Sequence, residues 1–120
     1  MELKHFKLEE FDSPDFKGSG INMDSDFLTM LDNARDIAQI PFKINSGYRT
    51  KERNESLANS KPNSSHLKGK AADISCKGSR ERWIILDSLI KAGFNRIGIA
   101  DTFVHVDSDE SKSPSVIWTY

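Results

Sequence analysis

The chain has 120 residues, of which 17 are basic and 18 acidic, so its formal net charge is -1. Such a balance excludes nucleic acid and anionic membranes as main partners, because attraction to either requires an excess of positive charge. The length predicts a single domain, residues 1–120. We expect this domain to act as a monomer. No apolar run is long enough to span a bilayer, so no membrane insertion is expected.

The N-terminal residues MELKHFKLEEF are charged throughout and lack the apolar stretch of a secretory signal. We therefore expect a soluble protein that is made in the cytoplasm without a signal peptide. The lone Cys76 cannot form an internal disulfide, so the fold does not depend on an oxidising compartment. Cys76 is expected in the core.

Residues 1–23 predict an extended arm wrapped on the domain, because a short alternation is followed by a stretch rich in turn residues. The aromatic side chains of Phe6, Phe11 and Phe16 are expected to be anchored in grooves. His5 is expected at the surface.

Two amphipathic helices are predicted from apolar residues that recur at helical spacing. The first covers residues 26–39 after an N-cap at Asp24 or Ser25, and the second covers 80–92 and ends at Gly93. Their apolar faces, expected in the core, comprise Phe27, Leu28, Leu31, Ala34, Ile37 and Ala38 in the first helix and Trp83, Ile85, Leu86, Leu89 and Ile90 in the second.

Five segments alternate as strands, which predicts the α+β class: a central antiparallel sheet with flanking helices. A short polar helix is expected between the first two strands, over residues 51–58. The strand segments are residues 42–45, 71–76, 96–100, 103–107 and 116–120.

The second strand carries Asp73 on one face, among small and apolar residues. A carboxylate there needs a partner, because burying it unpaired is costly. His66 lies seven positions earlier, and Gly69 between them lets the loop turn back over the same face. Two ordinary alternatives remain: Asp73 could pair with a lysine, and His66 could be a loop histidine.

The fourth strand, FVHVD, places Phe103, His105 and Asp107 on one face. His66, Asp73 and His105 then make a set of two imidazoles and one carboxylate, with a fourth position left for water. That ligand set is typical of catalytic rather than structural zinc.

The blocks SGYRT, SxHxxGxAxD and FVHVD, in this order, resemble the M15 zinc peptidases, in particular the branch of that family known as subfamily A. The family includes D-Ala-D-Ala carboxypeptidases and phage-type peptidoglycan peptidases, and the resemblance runs from about Phe6 to Tyr120. It implies a hedgehog/DD-peptidase-like fold with one Zn²⁺ ion on His66, Asp73 and His105. The implied activity is hydrolysis of peptide bonds in peptidoglycan stem peptides by a zinc-activated water.

The resemblance also implies substrate-binding residues. Arg49, in the SGYR block, matches the arginine that holds the carboxylate or carbonyl end of the substrate peptide, and its planar fork suits that task. An ordinary solvated loop arginine is the alternative. Ser64 is expected in the same substrate-binding region, where it can also orient His66 or its loop.

At the general base, this chain differs from the family pattern. Many relatives carry a glutamate three residues before the last histidine, where this chain has Thr102. Some family members carry a further histidine where this chain has Phe103. Asp107 is the first candidate because it shares the ligand face, and Asp101 is the second. Asp107 could instead fix the imidazole of His105.

Three functions are therefore compatible with the sequence. The first is a peptidoglycan peptidase, as a carboxypeptidase or endopeptidase. The second is an inactive zinc-binding module of the same fold, and the third is a metal-free cell-wall-binding domain. Action on the wall would require either another exit from the cell, such as phage-type lysis, or a leader that is missing from the sequence.

Overall fold

The computed structural model describes residues 2–120, and its centre is one five-stranded sheet. In chain order the strands are β1 (Ile44–Ser46), β2 (Ala71–Ser75), β3 (Arg96–Ile99), β4 (Phe103–Asp107) and β5 (Val116–Thr119). Across the sheet they are arranged β1-β2-β4-β3-β5. The helices are α1 (Ser25–Ala38), α2 (Lys51–Ser56) and α3 (Ser79–Lys91). The predicted α+β class is confirmed.

The direction of the last strand differs from the prediction. β1, β2, β4 and β3 pair antiparallel in that order, but β5 runs parallel to β3. After β4 the chain reverses through residues 108–115 and passes β3 to reach its outer edge. Residue alternation is the same in either orientation and therefore cannot predict it.

The core lies between one face of the sheet and the two long helices. Asp24 caps α1 by accepting a hydrogen bond from the backbone N–H of Phe27 at 2.9 Å. The buried side chains include Phe27, Leu28, Leu31, Ala72, Ile74, Cys76, Ile85, Leu89, Val104 and Val106. The predicted burial of Cys76 is confirmed.

The predicted core face of the helices is too wide. Ile37, Trp83 and Ile90 are exposed, Trp83 to 64%. At 3.6 residues per turn, Trp83 points about 160° away from the buried Ile85, so both cannot face the sheet. None of the helices formed by residues 2–120 combines the length and apolar character that crossing a bilayer requires.

Residues 2–23 form the arm, which contains two short 3-10 helices, Leu8–Phe11 and Ser19–Asn22. Phe6 and Phe11 are buried as predicted, with ring centroids 5.4 Å apart. The prediction for Phe16 is wrong: its side chain is 59% exposed. A turn in which the Phe16 N–H donates to the carbonyl of Ser13 directs it outward.

Two glycines allow this arm to pack beneath the site-bearing loops. Gly69 has φ +69°, and a Cβ there would lie 2.3 Å from the carbonyl oxygen of Asn22. A Cβ on Gly47 would lie 2.8 Å from Phe11. A side chain at Gly69 would push the arm away from the loop that carries His66, and one at Gly47 would push it away from the loop after β1.

Candidate metal centre

One row of cross-strand partners builds the site. The register pairs Ser46 with Asp73, Asp73 with His105, His105 with Gly98, and Gly98 with Trp118. Side chains of paired residues project from the same face of a sheet and approach within about 5 Å. The row therefore presents a carboxylate, an imidazole and an indole on the face opposite the helices.

His66 enters this row from a loop. It lies in a 3-10 helix, Ser65–Lys68, where Ser64 Oγ accepts a hydrogen bond from the backbone N–H of His66 at 3.3 Å. The carbonyl of Gly47 lies 2.7 Å from His66 Nδ1. A carbonyl can only accept, so Nδ1 carries the proton and Nε2 offers a lone pair. That Nε2 lies 3.4 Å from Asp73 Oδ1.

His105 lies between two carboxylates. Its Nδ1 is 2.9 Å from Asp73 Oδ1, and its Nε2 is 2.8 Å from Asp107 Oδ2. Burial lowers the pKa of His105, but the two carboxylates outweigh it and raise the pKa above its usual value. If Nδ1 lost its proton, that nitrogen could ligate a metal ion, while the Nε2–H would stay hydrogen-bonded to Asp107.

Asp73 is the residue on which the two imidazoles converge. Burial would raise the pKa of Asp73, but the hydrogen bond from His105 and the proximity of the His66 imidazole hold it well below its usual range. Asp73 is therefore a carboxylate at neutral pH, as a metal ligand must be.

The three side chains fit a zinc ion. One nitrogen or oxygen of each of His66, Asp73 and His105 lies within 4.8 Å of the others. Ligands about 2.0–2.2 Å from a tetrahedral zinc are separated by about 3.3–3.6 Å, so only small side-chain movements are needed. The remaining histidine, His5, is not part of this set and pairs with Asp36 at 3.1 Å.

Arg49 lies beside the metal donors. Its Nη2 is 3.6 Å from Asp73 Oδ2, while Nε and Nη1 donate to Ser46 Oγ and Asn54 Oδ1, both at 3.2 Å. Burial lowers the pKa of Arg49, and the neighbouring Asp73 raises it. Asn54 also binds the carbonyl of Lys61 at 2.8 Å, which ties Arg49 to the loop after α2. Sequence reasoning missed Asn54, because a polar residue in a short polar helix gives no signal.

The two candidate bases have different surroundings. Asp107 is buried: Oδ1 accepts from Arg96 Nε at 2.7 Å and from the Asp109 N–H, and Oδ2 faces His105. Burial would raise the pKa of Asp107, but His105 and Arg96 hold it below its usual value. Asp101 is exposed in the turn between β3 and β4 and does not line the cavity over the metal donors.

A cavity of about 550 Å³ opens above the donors. Arg49, Ser64 and the metal-donor set line it, and within residues 2–120 its carboxylates are those of Asp73 and Asp107. Aromatic side chains form part of the wall: Phe103, Trp118 and Tyr120. Trp118 and Tyr120 were not predicted as site residues, because only the parallel placement of β5 brings them beside β3 and β4.

A buried ionic cluster joins two loops near the cavity. Asp109 accepts hydrogen bonds from Ser65 Oγ at 2.7 Å and Lys68 Nζ at 3.0 Å. Lys112 Nζ donates to the same Ser65 hydroxyl at 3.0 Å. Because Ser65 precedes His66, this cluster fixes the loop that supplies the first imidazole.

Two imidazoles and one carboxylate lie beside an arginine at the base of an open cavity, and this donor set could hold one metal ion with room for a substrate. A family profile described as Peptidase M15 matches residues 4–107, and the chain belongs to this family of zinc-dependent peptidases. No curated protein matches the chain. The resemblance drawn from the sequence motifs is thus confirmed at the level of the family.

Proposed function

We propose that this protein is a zinc peptidase that hydrolyses peptide bonds in peptidoglycan stem peptides, as a carboxypeptidase or an endopeptidase of the subfamily A branch. The observation that carries the proposal is the convergence of His66, Asp73 and His105 with the Arg49 guanidinium, which lies 3.6 Å from Asp73 in the same cavity.

His66, Asp73 and His105 would hold the ion, and each is pre-positioned by a further contact. Gly47 fixes the tautomer of His66, and Asp107 fixes the orientation of His105. Arg49 lies against the outer oxygen of Asp73. When bound, zinc supplies Lewis-acid chemistry: it polarises a carbonyl and lowers the pKa of water to about 7.

Arg49 is proposed to bind a carboxylate or carbonyl of the substrate peptide. Its charge is only partly compensated, because Asp73 is shared with two histidines and lies 3.6 Å away. An anionic substrate group beside Arg49 would form charge-assisted hydrogen bonds in a partly buried environment. Ser64, on the cavity wall, is proposed to contact the same substrate.

Two roles were considered for Asp107 from the sequence: general base, and orientation of His105. Its contacts favour the second role, orientation of His105. Both oxygens already accept hydrogen bonds, from Arg96, His105 and the backbone of Asp109. A general base needs a free oxygen within about 3.2 Å of the proton it takes. Asp101 would have to enter the cavity from its exposed turn.

The same observation favours one second function, an inactive zinc-binding module. Within residues 2–120, neither cavity carboxylate is free of hydrogen bonds to the site's own residues. Such a module would bind zinc and a peptide carboxylate at Arg49 without cleaving the peptide.

The test is digestion of purified peptidoglycan and of synthetic stem peptides by the zinc-loaded protein, followed by mass spectrometry of the products. The proposal predicts new amino termini or released D-alanine with the wild type and none with His66→Ala. Zinc binding without any cleavage would favour the inactive module. If the wild type did not bind zinc, both the peptidase and the zinc-binding module would be refuted.

A further inference from the structure

Several hydrogen-bond donors on the cavity wall are already engaged by the protein. Arg96 donates to Asp107 and to the carbonyl of Ser113, and Lys112 donates to Ser65. Two nitrogens of the Arg49 guanidinium likewise donate to neighbouring side chains. Tyr120, which carries a phenolic hydroxyl, also lines the cavity. Within residues 2–120, that hydroxyl forms no hydrogen bond of the usual geometry, so it is available to a substrate.

Tyr120 is held in place by its backbone and ring. Its N–H donates to the carbonyl of Ile99 at 3.1 Å, which continues the pairing of β5 with β3. Its ring packs against Phe103, with centroids 5.3 Å apart. Phe103 is two residues before His105 on the same face of β4, so the Tyr120 ring stands next to the metal row.

The surroundings of the Tyr120 hydroxyl keep its proton in place. Partial desolvation beside the cavity raises the pKa of Tyr120, a contact with Trp118 lowers it, and the carboxylates of Asp73 and Asp107 raise it further. The hydroxyl is therefore protonated at neutral pH and able to donate. At 70% exposure the side chain remains open to a substrate in the cavity.

We propose that Tyr120 is a catalytic residue of the proposed peptidase, whose O–H donates a hydrogen bond to the oxygen of the attacked carbonyl as negative charge develops there. The inference rests on the proposed function. A donor aimed at the developing oxyanion stabilises the transition state more than the neutral ground-state carbonyl. Tyr120 keeps its proton throughout, so the net reaction is the addition of one water across the peptide bond.

The experiment compares Tyr120→Phe with the wild type on a synthetic stem peptide that the wild type cleaves. Phenylalanine retains the packing on Phe103 and removes only the hydroxyl. We expect kcat to fall by about 10²–10³-fold, as for other oxyanion donors, with KM nearly unchanged and zinc content equal. Tyr48→Phe is the matched control, because Tyr48 packs against the hydrophobic core and does not line the cavity.

A second readout does not require turnover. Calorimetry measures the affinity of zinc-loaded protein for a phosphinate pseudopeptide, which mimics the oxyanion, and for the product peptide. Tyr120→Phe should bind the phosphinate at least about tenfold more weakly and the product as tightly as the wild type. Wild-type kcat in Tyr120→Phe, or equal losses for phosphinate and product, would overturn the inference. A wild type that neither cleaves nor binds the phosphinate refutes the proposed function itself, and the role of Tyr120 with it.

Discussion

The carboxylate of Asp107 lies 2.8 Å from His105 Nε2, on the side of the imidazole away from Asp73. Arg96 holds the other oxygen of Asp107 at 2.7 Å. This chain of contacts fixes the ring so that its Nδ1 points at Asp73, and a carboxylate behind a ligating histidine would also raise the basicity of that histidine.

Asp107→Asn separates the two roles considered for this residue. His105 and Arg96 contact different oxygens of Asp107, and an asparagine would place an NH2 donor against one of them. If Asp107 orients His105, zinc affinity should fall by about 10–100-fold, measured by competition with a chromophoric chelator. If Asp107 is instead the general base, zinc affinity should persist while turnover falls by about 10²–10⁴-fold.

Asp101→Asn is the control for that experiment. Asp101 is exposed and its side chain lies outside the cavity, so neither zinc affinity nor turnover should change. A large loss of turnover with zinc retained would show that the turn between β3 and β4 brings Asp101 over the metal.

Arg49→Lys should weaken peptide binding although the charge is kept. The guanidinium reaches Ser46, Asn54 and Asp73 at once, and a lysine cannot reproduce that fork. We expect KM for a stem peptide with a free carboxylate to rise several-fold or more while zinc stoichiometry stays the same. The matched control is Arg80→Lys, an exposed arginine on α3. Equal KM values in the two variants would contradict a substrate-binding role.

Gly98→Ala should disturb the aromatic wall. A Cβ at Gly98 would lie 2.6 Å from the indole of Trp118, which covers this glycine and packs 5.5 Å from the His105 ring. We expect the free energy of unfolding, from urea denaturation, to decrease by about 1–3 kcal/mol. Combined with Trp118→Ala the same substitution should cost much less, since the obstructing ring is gone. Additive losses in the double variant would argue against this contact.

Asp109 should make stability depend on pH. Burial alone would raise its pKa, but hydrogen bonds from Ser111, Ser65 and Lys68 hold it well below its usual range. Since the folded-state pKa is lower than the unfolded one, the stabilisation is present above about pH 4 and is lost as the pH falls further. Asp109→Asn should therefore show a shallower loss of stability between about pH 5 and about pH 3 than the wild type. Parallel curves in urea denaturation would contradict this.

Much of the site could be predicted because the decisive residues lie on regular strands. Alternation in FVHVD and around Asp73 correctly placed His105 and Asp73 on one sheet face, and the register makes them direct partners. His66 needed the family motif as well, since a loop residue has no periodicity. The hydrogen bond that sets its tautomer comes from Gly47, nineteen residues earlier, and local sequence cannot indicate such a pairing.

Other parts of the site depend on long-range geometry. Trp118 and Tyr120 reach the cavity only because β5 runs parallel to β3, and alternation carries no information about strand direction. The Asp109 cluster joins residues more than forty positions apart. Trp83 was expected in the core because its helix has more apolar residues than one face can bury.

The zinc site is tested most directly by metal content. Purified protein is stripped of metal, reconstituted with zinc and dialysed, and zinc per chain is measured by elemental analysis for the wild type, His66→Ala, His105→Ala and His5→Ala. His5 serves as the control histidine, because it pairs with Asp36 outside the cavity. We expect one zinc per chain in the wild type and in His5→Ala, and loss of that zinc in His66→Ala and His105→Ala. Undiminished zinc in both of the latter variants would contradict the site.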